Sequence, residues 1–93
     1  MMRRMQSEVT VFIVDDNANH SAGIKQLLEL QSDYHVMGIA TNGEDAIKRL
    51  SDTKVDVVLM DMNMPELDGV AAIQQLSSVN PSLKILALTG YDD

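Results

Sequence analysis

Four polar side chains follow apolar, strand-like runs directly and are the residues of this sequence best suited to chemistry. Asp15 and Asp16 follow the run "VFIV", Asp61 follows "VVLM", and Thr89 follows "ILAL". Ligands of open α/β sheets bind at the carboxyl ends of the strands. If these runs are strands of one parallel sheet, the four side chains therefore lie together at one edge.

Adjacent carboxylates repel each other when both are ionised, and a hard divalent cation removes that conflict. Mg²⁺ is typically held by one or two carboxylates together with waters and phosphate oxygens. The sequence therefore predicts a Mg²⁺ site between Asp15, Asp16 and Asp61. A carboxylate beside such an ion can attack phosphorus and form an aspartyl phosphate. The hydroxyl of Thr89 would then donate to a phosphoryl oxygen, and the small Gly90 would leave the approach open.

The elements that must position these residues alternate between strand and helix. Apolar runs and helical periodicity predict strands over residues 9–14, 34–40, 55–60 and 83–88, and helices over 18–31, 43 to about 50, and 70–79. A β-α-β-α-β-α-β order calls for an α/β fold with a parallel sheet and right-handed crossovers.

Length and composition limit the class of protein. A chain of 93 residues forms one domain, expected over residues 9–93 after a poorly ordered extension over 1–8. The net charge of −7, from 14 acidic and 7 basic residues, argues against nucleic acid as a direct partner. There is no cysteine, which excludes disulfides and zinc-thiolate sites. The start, "MMRRMQSE", lacks the apolar region of a signal peptide, so no membrane partner and a cytoplasmic location are expected.

Three segments carry a resemblance to a known family. "VDD" after the first strand, "VLMDMNMPELDG" around the third and "ALTG" at the fourth resemble the receiver domain of bacterial two-component response regulators. The resemblance covers essentially the whole chain. It implies a flavodoxin-like, doubly wound parallel sheet with the strand order 2-1-3-4-5.

The resemblance also implies roles for individual residues. Asp61 would be the phosphoacceptor, and a histidine kinase would be the donor. Asp16 would bind Mg²⁺ directly with Asp15 close by, and Asn63 would offer its backbone carbonyl to the ion. Thr89 would be the switch hydroxyl whose movement alters contacts with an output domain or partner. On this view the chain is a signalling domain rather than an enzyme, catalysing at most its own phosphorylation and dephosphorylation.

The sequence departs from the family after the fourth strand. The family's fifth strand ends in a lysine that pairs with the phosphoryl group, and no lysine here fits that role: Lys25 and Lys48 fall in helices, whereas Lys54 and Lys84 precede or start strands. The resemblance therefore predicts a receiver truncated after its fourth strand. An open apolar edge would promote self-association, so a homo-oligomer is expected.

Other interpretations of the same residues are less favoured, or remain open beside this one. A truncated receiver that is not phosphorylated would serve as a docking or assembly module with an intact acidic pocket. "DMNMPELDG" fails as a calcium loop because Glu66 stands where such loops require glycine. A haloacid-type phosphatase would need a second aspartate where Asn63 stands. His20 and His35 lack ligand spacing, and His20 is expected to be an exposed residue at a helix start.

Overall fold

The computed structural model describes residues 8–61 and 69–88. The elements are β1 (Val9–Val14), α1 (Ala18–Glu29), β2 (Tyr34–Ala40), α2 (Gly43–Asp52), β3 (Val57–Asp61), α3 (Gly69–Val79) and β4 (Lys84–Leu88). The predicted order and type of all seven elements are confirmed. Their bounds differ by up to two residues: α1 ends at Glu29, and β3 begins at Val57 and includes Asp61.

The four strands form one parallel sheet in the order β2-β1-β3-β4. β1 lies inside the sheet, and its residues 11–14 are all buried. This is why β1 has a continuous apolar sequence rather than alternating polar and apolar residues. The α/β fold expected from the sequence is confirmed.

The core is divided between the two faces of the sheet. Phe12 and Val14 of β1 belong to a cluster that also includes residues of α2 and α3. Val11 and Ile13 point to the other face, where partly buried residues of α1 pack against them. Alternate side chains of a strand point to opposite faces, so β1 joins both halves of the core.

Helical spacing in the sequence predicts an apolar stripe on α1 that includes Ile24, Leu27, Leu28 and Leu30, and this prediction is partly wrong. Ile24 and Leu28 pack against the sheet, and Ser21 is 2% exposed. Leu27 and Leu30 are 68% and 77% exposed. Consecutive helical residues are rotated by about 100°, so Leu27 and Leu28 cannot both face the sheet. The buried line follows Ser21, Ile24 and Leu28.

A β-bulge interrupts the pairing of β1 with β2. Val11 pairs with Val36, but Phe12 pairs with Gly38, so Met37 is the extra residue. A Cβ atom on Gly38 would lie 2.9 Å from Cε2 of Phe12. The guanidinium of Arg49 lies 5.2 Å from the centroid of the same ring. Glycine at position 38 therefore leaves room for the Phe12 side chain.

Candidate functional site

Asp15 lies at the carboxyl edge of the sheet and is fully buried. It follows the last residue of β1, and its backbone N–H donates to the carbonyl of Ala40 at 2.9 Å. This bond extends the pairing of β1 and β2 by one residue. The backbone of Asp15 is therefore held by the sheet, not by a free loop.

Both oxygens of the Asp15 carboxylate have partners. Oδ1 accepts a hydrogen bond from the backbone N–H of Asn17 at 2.9 Å. Oδ2 is paired with Nδ1 of His20. An ionised carboxylate can only accept, so Nδ1–H of His20 is the donor in this pair. These contacts fix the orientation of a carboxylate that is removed from water.

The start of α1 places His20 beside Asp15. Asn17 is the N-cap, with φ −99° and ψ 107°, and its side-chain oxygen accepts from the backbone N–H of His20 at 3.0 Å. Such a cap satisfies one of the free N–H groups at a helix start. The His20 side chain is 54% exposed. It can therefore contact both the buried carboxylate and solvent.

Asp61 reaches the same place from β3. Val14 pairs with Met60, so the residues that follow them, Asp15 and Asp61, lie on neighbouring strands at the same edge. One ligand atom each from Asp15, His20 and Asp61 can be chosen so that all three lie within 4.8 Å of one another. Asp61 is half-buried. Within residues 8–61 and 69–88, Asp15, His20 and Asp61 therefore form a group of three potential metal ligands.

The donor chemistry of this group fits the predicted Mg²⁺ ion. Asp15 and Asp61 supply hard oxygen ligands, and the exposed imidazole of His20 connects the group with solvent, the source of the waters that Mg²⁺ retains. Of the three carboxylates predicted to bind the ion, Asp15 and Asp61 belong to this group, and a cation between them would reduce their mutual repulsion.

The other predicted site residues stand apart from this group or outside the described residues. Asp16 is exposed and is not a member of the group formed by Asp15, His20 and Asp61. Asn63, Thr89 and Gly90 lie outside the described residues. His20 was not predicted as a site residue. The signal available for it was Asn17 three residues earlier, because an N-cap there places position 20 in the first turn, beside the end of β1.

Among the residues that the structure describes, no helix combines the length and apolar character needed to cross a membrane.

A family model for the response regulator receiver domain matches residues 11–93. The chain belongs to this family. Receiver domains are the phosphoacceptor signalling domains of two-component systems, so the function class predicted from the sequence is confirmed. The family resemblance and the flavodoxin-like fold are confirmed with it.

Two curated relatives illustrate the family. The chain is 39% identical over 83 residues to the response regulator protein VraR of Staphylococcus saprophyticus, covering 89% of this receiver and 40% of that protein. It is 36% identical over 74 residues to a protein-glutamate methylesterase/protein-glutamine glutaminase of Pseudoalteromonas translucida, covering 80% of this receiver and 19% of that enzyme. The receiver therefore spans well under half the length of either relative.

A solved structure supports the same assignment. RcsB from Salmonella enterica serovar Typhimurium, bound to a promoter in the presence of the phosphomimetic BeF3⁻, superposes with a TM-score of 0.82 at 28% identity. The match covers 92% of this receiver and 72% of the RcsB chain. Receiver domains of this family are phosphorylated by histidine kinases and linked to output domains. Nothing in the fold or the relatives favours the alternative of a docking module that is not phosphorylated.

Proposed function

We propose that Asp61 is the residue that accepts the phosphoryl group and that Asp15, Asp16 and Asp61 hold the Mg²⁺ ion required for the transfer. The main support is that the ligand atoms of Asp15 and Asp61 lie within 4.8 Å of each other at the carboxyl edge of the sheet. Asp61 is more accessible than the fully buried Asp15. An incoming phosphoryl donor therefore reaches Asp61 more readily.

The ion and the side chains around Asp61 have different roles in the phosphoryl transfer. Mg²⁺, when bound, neutralises the charge that develops on the transferring phosphoryl group. Asp15, which accepts hydrogen bonds from Asn17 and His20, presents a fixed oxygen to the ion. Transfer of this kind depends mainly on positioning and charge stabilisation, and the rigid attachment of Asp15 to the sheet supplies the positioning.

The family supports three further assignments in this proposal. Asn63 offers its backbone carbonyl to the ion, and Thr89 acts as the switch hydroxyl, with the small Gly90 beside it. Asp16 completes the ligand set from its exposed position next to Asp15. No lysine of this chain is assigned to the phosphoryl group.

The proposed partners are a histidine kinase, as the phosphoryl donor, and an output domain or separate protein that responds to the phosphorylated state. The relatives differ in this respect, since one is an enzyme and another was solved on a promoter. The net charge of −7 supports a receiver that does not itself contact nucleic acid. The cytoplasmic location stays a prediction.

We also propose that copies of the chain associate through β4. This strand is the last in the order of the described sheet, and Leu86 on it is 57% exposed. An edge strand with exposed apolar side chains can pair with another chain. Sedimentation velocity at tens of micromolar tests this proposal, and a monomer at all concentrations would reject it.

The phosphoacceptor assignment is tested by intact-mass spectrometry after incubation with acetyl phosphate and Mg²⁺. We expect the parent chain to gain one phosphoryl group and Asp61→Asn to gain none. Asp56→Asn is the matched control, because Asp56 immediately precedes the same strand at its opposite end, and it should be modified like the parent. Modification of Asp61→Asn to the parent's extent would refute the assignment.

A further inference from the structure

The side chains proposed above to hold Mg²⁺ are all carboxylates. His20 lies beside Asp15 and Asp61 and is a further potential ligand. We propose that His20 is a metal ligand and that it biases the site of Asp15 and Asp61 toward transition-metal cations relative to Mg²⁺. The inference rests on the proposed metal site and specifies which cations that site prefers.

Geometry is the first argument. The imidazole contacts Asp15 directly, and its ligand atom lies within 4.8 Å of those of Asp15 and Asp61. Around an octahedral ion with bonds of about 2.1 Å, adjacent ligands are about 3 Å apart and opposite ligands about 4 Å apart. Small side-chain adjustments therefore bring all three atoms into one coordination sphere.

The second argument is that His20 is both held and accessible. The Asn17 cap fixes the first turn of α1 through the backbone N–H of His20, and Asp15 beside it is fully buried. The imidazole itself is 54% exposed, so a hydrated cation reaches it from solvent. Ligation through Nδ1 would replace the proton that this atom donates to Asp15, and that proton would pass to water.

Donor chemistry decides which cations benefit. Carboxylate oxygens suit Mg²⁺, Ca²⁺ and Mn²⁺, whereas imidazole nitrogen suits zinc, copper, iron and nickel. A site with two carboxylates binds Mg²⁺ without help from nitrogen. Addition of one imidazole strengthens binding of Zn²⁺ much more than binding of Mg²⁺.

His35 provides a matched comparison within the same chain. Its side chain is also 54% exposed, and its Nδ1 lies 3.9 Å from Oε2 of Glu29. Each histidine thus has a nearby carboxylate and the same exposure. Within the described residues, His35 is not part of a group of three potential ligands.

The test measures Zn²⁺ and Mg²⁺ affinities by isothermal titration calorimetry for the full chain, His20→Ala and His35→Ala. We expect His20→Ala to lower the ratio of Zn²⁺ to Mg²⁺ affinity by more than about tenfold, since even outer partners of a ligand can change affinity by that factor. His35→Ala should leave the ratio unchanged. Equal losses for both cations in His20→Ala would mean that His20 only orients Asp15 and would overturn the inference.

A second measurement needs no variant. Addition of Zn²⁺ to the ¹⁵N-labelled chain should shift one imidazole nitrogen of His20 and leave those of His35 in place. Unchanged His20 nitrogens at saturating Zn²⁺ would overturn the inference. Failure of the parent to bind Mg²⁺ would instead reject the metal site of the proposed function, so the two proposals fail in distinguishable ways.

Discussion

The two edges of the sheet each carry an aspartate whose carboxylate accepts a backbone hydrogen bond, but the edges differ in what surrounds it. Asp15 accepts from the N–H of Asn17 at 2.9 Å, and Asp56 accepts from the N–H of Thr10 at 2.9 Å. Asp56 also accepts from the Thr10 hydroxyl at 3.1 Å, and its own N–H donates back to that hydroxyl at 3.0 Å. At the amino edge, Thr10 and Asp56 thus donate hydrogen bonds to each other. At the carboxyl edge, the Asp15 carboxylate is paired with the imidazole of His20.

Burial and neighbouring side chains distinguish the two carboxylates. Asp56 is exposed. Its carboxylate accepts from Thr10, and its backbone carbonyl accepts from the N–H of Lys84 at 3.4 Å. Asp15 is fully buried beside two other potential ligands. A cavity of about 760 Å³ lies at the amino edge, next to Thr10 and Asp56. This cavity lies at the edge opposite to Asp15, so the candidate site is identified here from the chemistry of its side chains.

The strongest test of this contrast is Asp15→Asn. We expect Mg²⁺ affinity to fall by more than about tenfold, because the site loses a charged ligand. The free energy of unfolding should change little, since the amide oxygen keeps one of the two hydrogen bonds and removal of a buried charge near Asp61 offsets the loss of the other. Calorimetric titration and thermal unfolding measure the two effects. An unchanged Mg²⁺ affinity would show that Asp15 is structural, like Asp56.

Asp56→Ala should have the opposite pattern. Loss of the acceptor for Thr10 should lower the free energy of unfolding by about 1–2 kcal/mol, while Mg²⁺ affinity stays at the parent's value. Urea denaturation measures the first quantity. Asp56→Asn is the control, because it retains an acceptor and should lose less stability. A large loss of Mg²⁺ affinity in Asp56→Ala would show that the two edges are coupled.

The smallest expected effects on stability concern the two asparagines that cap helices. Asn17 caps α1 by accepting from His20 N–H, and Asn42 caps α2 by accepting from Asp45 N–H at 2.7 Å. Each change to alanine should lower the free energy of unfolding by about 1 kcal/mol. Asn17→Ala should also weaken Zn²⁺ binding, because α1 carries His20, and Asn42→Ala should not. Equal Zn²⁺ affinities would contradict the role of the cap in placing His20.

Much of the architecture was predictable because periodicity and strand-end chemistry are local properties of the sequence. The apolar runs gave the four strands, and the alternation with helices gave the parallel sheet. The placement of Asp15 and Asp61 at one edge follows from that sheet. The exposure of Leu27 did not follow, because tertiary packing decides the rotation of α1 about its axis, and Ile24 and Leu28 are the residues that pack against the sheet.

Two other features depend on irregular backbone geometry, which the periodicity of the sequence does not reveal. The contact of His20 with Asp15 depends on the turn between β1 and α1, and reasoning from the spacing of the two histidines could not show it. The bulge at Met37 changes which residues of β2 share a face, so that Val36 and Ile39 both join the α1 side. Gly38 was the available signal, because glycine inside a strand often marks a bulge.

The bulge in β2 also affects how molecules of this receiver can meet. β2 and β4 are the outer strands of the described sheet. A bulge twists and bends its strand, and an irregular outer strand is a poor template for a strand from another molecule. The pairing of β4 with β3 has no such shift in register. Within the described sheet, the bulge therefore makes β2 a poorer template than β4 for pairing with a strand of another molecule.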